Sequence, residues 1–90
     1  MSVTQSERGA FDIEAAQKGY SLNKMCYSLN KAENRAAFLA DEEAYCARYG
    51  LNVEELAAVR SRSRPRLTAA GGNMYFLAKL DRVIPLGSDG

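Results

Sequence analysis

Arg60, Arg62, Arg64 and Arg66 alternate with Ser61, Ser63 and Pro65, the densest run of one charge in the sequence. Guanidinium groups suit a phosphate, a carboxylate-bearing substrate or an acidic partner, because each fork can donate two parallel hydrogen bonds to an oxyanion. The run has no interleaved aromatics and no nucleic-acid motif, and Glu54 and Glu55 dilute its field. A solvated helix end is therefore the plainer reading, with an anion or partner contact as the sharper one. Asp41, Glu42 and Glu43 form the opposite cluster. Adjacent carboxylates on a helix point in different directions, so they make a poor acid–base pair and serve better as favourable charge at a helix start. Glu33 and Arg35 read as structural in the same way.

Histidine is absent from the 90 residues. A centre of two histidines and one carboxylate for iron(II) cannot be assembled from this chain, nor can a serine–histidine or cysteine–histidine nucleophile. Cys26 and Cys46 lie far apart and form no C-x-x-C unit, so two buried free thiols are expected rather than a zinc or redox site. No catalytic residue and no metal ligand is expected. A net charge of +1 gives no reason to expect nucleic acid or an anionic membrane as partner. The opening MSVTQSERGA has no apolar signal region and no run is long enough to span a bilayer, so the expected location is cytoplasmic.

The elements that carry these residues read as helices. Leu22, Met25, Cys26 and Leu29 fall at i, i+3, i+4 and i+7, one apolar stripe, with Ser21, Asn23, Lys24 and Ser28 mostly on the other side. Tyr20 is expected as a packing anchor at the entrance. Asn30 and Glu33 have capping-box spacing for a second helix, which then carries the apolar block Ala36, Ala37, Phe38, Leu39 and Ala40. Asp41 restarts a helix, Tyr45, Cys46 and Tyr49 continue the buried face, and Gly50 suits its left-handed end. Asn52 and Glu55 form a second capping box, with Leu51 and Leu56 as a staple, for a helix over 53–62. Pro65 sets a boundary and opens or precedes a short helix near 68–70, and Gly71-Gly72 breaks the chain.

Asn73 then caps a final helix over 74–83 whose start reads as apolar on all sides: Met74, Tyr75, Phe76, Leu77 and Ala78. Such a helix is buried all round or covered by another protein. Neighbouring residues point about 100° apart, so one of Tyr75 and Phe76 should pack inward and the other face a partner. The two glycines permit close backbone approach, and the helix start behind them can face an anion. With no alternating strand pattern, the chain reads as a small all-α single domain of about five or six short helices. It divides into a flexible N-terminus (1–10), a helical domain (11–84, beginning with the cluster Phe11, Ile13, Ala15 and Ala16) and a C-terminal tail (85–90).

Asn23-Lys24-Met25-Cys26, the run SLNKAENRAAFLADEEAY over 28–45 and GGNMYFLAKL over 71–80 resemble the small (alpha) subunit of protocatechuate 4,5-dioxygenase, over residues 20–80. The resemblance implies a helical, non-catalytic subunit that binds no cofactor and packs on a catalytic beta-type subunit. That partner would hold iron(II) and open the ring of a protocatechuate-like aromatic catechol acid. It places Gly71, Gly72, Asn73, Tyr75 and Phe76 at the pocket-side interface. Alpha subunits of this family usually continue into a C-terminal segment that covers the partner's active site. The sequence here departs from that pattern at DRVIPLGSDG, so the lid role is not carried over. The alternative is a stand-alone helical protein- or peptide-recognition domain of the same fold. A neighbouring reading frame for a histidine-bearing catalytic subunit would separate the two.

Overall fold

A computed structural model describes residues 18–88. The expected flexible terminus and the cluster from Phe11 to Ala16 lie outside the described residues. Among those described, six α-helices follow one another and no strand is present: α1 Tyr20–Ser28, α2 Ala32–Ala40, α3 Glu42–Arg48, α4 Val53–Ser61, α5 Arg64–Ala69 and α6 Met74–Val83. The fold is all-α.

Helices this short are unstable alone, so their ends and one shared core must hold them. The expected α1 stripe is that core's centre: Leu22, Met25, Cys26 and Leu29 are all buried. They meet Phe38 of α2, Tyr45 and Cys46 of α3, Val59 of α4, Leu67 of α5, and Leu77 and Leu80 of α6. Phe38 and Tyr45 pack edge to face with centroids 5.8 Å apart, a favourable arrangement beyond the area they bury. Both cysteines are free and buried.

Most helix ends are satisfied as the sequence dictates. Asp41 Oδ1 accepts from the Ala44 N–H at 3.1 Å. Asn52 Oδ1 accepts from the Glu55 N–H at 2.7 Å while Glu55 Oε1 accepts from the Asn52 N–H at 2.8 Å, a complete capping box. Leu51 and Leu56 beside it are half-buried against the core. Gly50 takes φ +74°, and the Leu51 N–H reaches Cys46 O and the Gly50 N–H reaches Ala47 O, the double closure of a left-handed helix end. Pro65 lies in the first turn of α5, where its missing N–H costs nothing, and Ser63 caps that turn.

Three expectations are corrected. Asn30 and Glu33 make no capping box; α2 starts after Lys31 with no side-chain cap. The donors here close the end of α1 instead: Asn34 Nδ2 donates to Ser28 O at 2.8 Å, and Arg35 Nη1 donates to Leu29 O and Asn30 O at 2.9 and 3.0 Å. Within the apolar block of α2 only Phe38 is buried, and Leu39 is exposed, because one helix face suffices against this thin core. Tyr20 is exposed rather than an anchor. Beyond α6, residues 85–88 form no helix, yet they are tied down: the Arg64 N–H donates to Gly87 O at 2.8 Å and the Gly87 N–H to Arg62 O at 2.7 Å.

Candidate functional site

The turns that open α1 and α6 touch through two glycines. Gly19 and Gly71 both have positive φ, +78° and +106°, and a Cβ placed on Gly71 would lie 2.7 Å from the Gly19 Cα. Gly72 is confined as well, since a Cβ there would meet Leu67 O at 2.8 Å. Asn23 fastens the same junction. Its Nδ2 donates to Gly71 O at 3.2 Å and its Oδ1 accepts from the Asn73 N–H at 2.8 Å. From this shared start the two helices run in the same direction, with Tyr27 meeting Phe76 further along. Asn73 Oδ1 caps α6 through the Tyr75 N–H at 2.8 Å. The donors of Asn73 and Tyr75 are thus already occupied, and the expected anion-facing helix start is not open at these two groups.

Along the outer side of this helix pair lies a groove of about 470 Å³ lined by Tyr20, Asn23, Lys24, Tyr27, Tyr75 and Phe76. Tyr27 and Phe76 meet edge to face at 6.2 Å, and Tyr75 packs against Phe76 at 5.2 Å. Lys24 sits over the Tyr20 ring and Lys79 over the Tyr75 ring, 5.8 and 4.6 Å from the centroids, contacts that hold cation and ring together. The rings are open to solvent: Tyr20 is 56% exposed, Tyr27 57% and Tyr75 64%, with Met74 beside them at 81%. Phe76 is half-buried against the core. The final helix is therefore not buried all round. Leu77 and Leu80 face inward, and Tyr75 and Met74 face out.

Among the described residues this surface is lined by aromatic rings, with Asn23 and Lys24 as its polar side chains. Large rings with a few polar points make the centre of a protein interface. No group of three or more histidine, cysteine, aspartate or glutamate side chains comes together among the described residues. With no histidine in the sequence, the donor set does not fit an iron(II) centre.

The four arginines are not gathered into one site. Arg62 ends α4 in the left-handed region at φ 58°. Its Nη1 and Nη2 donate to Glu42 Oε1 and Oε2 at 2.9 and 2.7 Å, and that carboxylate holds the guanidinium more firmly charged. Arg64 lies 3.5 Å from Asp81. Arg60 and Arg66 are exposed. Two of the four serve the fold, which removes them from any common anion site.

Tyr20, Asn23, Lys24 and Tyr27 were not singled out by sequence reasoning as site residues. The signal was there: they stand at i, i+3, i+4 and i+7, a second stripe on α1 with the same spacing as the buried one. Its two tyrosines stand on the face opposite the core stripe and are exposed.

The family described as aromatic-ring-opening dioxygenase LigAB, LigA subunit, matches residues 22–88, most of the chain. The chain belongs to this family. The match takes in the whole of the α1–α6 pair except Tyr20 and Ser21, and it extends past Leu80 through the tail that Gly87 ties to α5. A LigA subunit is one part of a ring-opening dioxygenase, so membership sets this chain in an oxidoreductase assembly and implies a partner subunit. The described residues form short helices around one core, with the Tyr20, Tyr27 and Tyr75 rings exposed. No helix among the described residues is long and apolar enough to cross a membrane.

Proposed function

We infer that this LigA-family chain is the non-catalytic small subunit of an extradiol dioxygenase, and that the groove between α1 and α6 packs on the catalytic subunit. The observation that carries the reading is an open aromatic groove, Tyr20, Tyr27, Tyr75 and Phe76, on a chain of this family. An enzyme part with no histidine, and with no cluster of metal donors among its described residues, contributes by covering. It closes a wall of the partner's pocket and keeps water out, which strengthens electrostatic interactions inside. The partner supplies iron(II) and the catalytic groups, and the complex opens a protocatechuate-like catechol acid in the cytoplasm.

Within this chain each element has a task. The Gly19–Gly71 contact and the Asn23 hydrogen bonds hold the two helices at a fixed distance. The fixed spacing presents Tyr27, Tyr75 and Phe76 as one preformed surface, and preformed surfaces lose little entropy on binding. Gly71, Gly72 and Asn73 act through this geometry, while Tyr75 and Phe76 act by contact.

The test is oxygen uptake by the catalytic subunit with protocatechuate, with and without this chain. Activity that appears or rises on mixing supports the reading. Equal uptake in both cases overturns it and favours a stand-alone recognition domain.

A further inference from the structure

Beyond the aromatic groove, at the far end of the α1–α6 pair, lies a second concavity of about 310 Å³ lined by Leu29, Asn30, Arg35, Lys79 and Arg82. Three cations from two helices line it, and no carboxylate does so among the described residues. The ion pairs among the described residues are Arg62 with Glu42 and Arg64 with Asp81, so none of these three cations has a carboxylate partner there. Asp81, next to Arg82 in sequence, is turned elsewhere: its Oδ1 accepts from the Leu86 N–H at 2.7 Å and faces Arg64.

Two of the cations are held in place by groups that carry no net charge. Arg35 is fixed through Nη1 by Leu29 O and Asn30 O, which leaves its Nη2 and Nε without a hydrogen-bond partner among the described residues. Lys79 rests over the Tyr75 ring. Arg82 stands in the last turn of α6, where a cation suits the helix dipole. The dipole accounts for one cation at that helix end. It does not account for three around one hollow, where like charges repel and each raises the affinity for an anion.

We propose that the hollow formed by Arg35, Lys79 and Arg82 is an oxyanion site that takes a carboxylate or phosphate group. Arg35 supplies a fixed fork, Lys79 a charge seated over the Tyr75 ring, and Arg82 a third charge from the last turn of α6. The anion has two possible sources, a free small molecule or an acidic side chain of the catalytic subunit. The second source rests on the function inferred above.

The experiment has two arms that separate them. In the first, amide resonances of the full chain are followed while inorganic phosphate replaces chloride at constant ionic strength. A free-anion site gives saturable shifts confined to residues around Leu29, Asn30, Arg35, Lys79 and Arg82. Arg82→Gln then weakens the binding by at least about fivefold, the scale of one charge-assisted contact, and Arg60→Gln leaves it unchanged. In the second, the affinity of the catalytic subunit is measured for the same two variants. A partner carboxylate gives a loss of similar size for Arg82→Gln alone, smaller at high salt. If phosphate shifts are absent, unsaturable or spread over all basic residues, and Arg82→Gln binds the partner like Arg60→Gln, the proposal is overturned. That result leaves the aromatic interface standing if the complex still forms. Saturable phosphate binding without any complex supports the oxyanion site and counts against the interface, and if neither phosphate nor partner binds, both fail.

Discussion

Asn23 grips the backbone on both sides of Gly72, donating to Gly71 O at 3.2 Å and accepting from the Asn73 N–H at 2.8 Å. One side-chain amide thereby satisfies a carbonyl at the end of one turn and an N–H at the start of the next helix. Asn23→Ala leaves both backbone groups to water, since neither bond is fully buried, so each loss should be the ordinary net worth of a hydrogen bond, about 0.5–1.5 kcal/mol. The midpoint of urea unfolding should fall accordingly. Asn23→Asp keeps the acceptor and loses the donor, so its midpoint should lie between the two. If Asn23→Ala unfolds at the parent's midpoint, this amide does not hold the junction.

Gly71→Ala should be far more damaging than Gly50→Ala. Both glycines have positive φ, but an added Cβ at Gly50 meets only the Ser21 hydroxyl, at 3.9 Å. Its cost is the left-handed backbone alone, about 1 kcal/mol. At Gly71 the new carbon meets Gly19 backbone atoms at 2.7 Å, and the loss should reach at least about 3 kcal/mol, in the range of severe core damage. Thermal melting of the two variants side by side decides it; equal losses would show that the two turns part easily.

Tyr75→Ala should leave the fold nearly intact, because the ring is exposed. The same change should weaken association with the catalytic subunit by about 2 kcal/mol or more, the scale of a buried aromatic at an interface centre. Phe76→Ala should lower both stability and affinity, since its ring touches the core and the groove together. Melting and titration of each variant give four numbers. Unchanged affinity in both would remove this groove as the interface.

Alkaline pH should destabilise the fold through its two thiols. Burial pushes Cys26 up to about 12 and Cys46 up to about 11. Each thiol then keeps its proton in the native state at pH values where the unfolded chain has lost it. Stability is fully present below the ordinary thiol range of about 8.5 and declines as pH rises toward the two folded values. The urea midpoint should drop more steeply from pH 8 to 10 in the parent than in Cys26→Ala, which starts lower. Parallel slopes would refute the linkage.

The Arg62–Glu42 pair should be worth little despite its two-pronged geometry. Both side chains are about one third open to water, at 37% and 28%. Glu42→Gln should therefore cost no more than about 1 kcal/mol and less in high salt. A loss of several kcal/mol, insensitive to salt, would mean that the bridge is a principal clamp between α3 and α4.

Local signals carried most of the fold. Asp41, Asn52 and Asn73 cap the helices their sequence positions indicated, and Gly50 ends α3 as its type suggests, because these bonds involve only residues a few positions apart. Asn30 shows where that reading stops. Its box spacing with Glu33 was correct, but the carbonyls left open by α1 drew Asn34 and Arg35 backwards, and the competition between two adjacent helix ends is invisible in one motif. The inward helix faces were legible from periodicity. The outward groove was half legible: Tyr75 and Phe76 stood out in an apolar run, while Tyr20 and Tyr27 were hidden among Asn23, Lys24 and Ser21 on what looked like a solvent face. Asn23 was the least readable, because its partners lie about fifty positions away.

The contact between Gly19 and Gly71 also sets how this chain can diverge. Each glycine is blocked by the other's main chain, and main-chain atoms are the same whichever residue stands there. No second substitution at the opposite position makes room for the first. Neither site therefore has a compensated route to alanine or serine, in either order of mutation. Correlated variation between the two columns should be absent in any set of homologues that keeps this junction, and a method that infers proximity from correlated changes will miss the contact between these two turns.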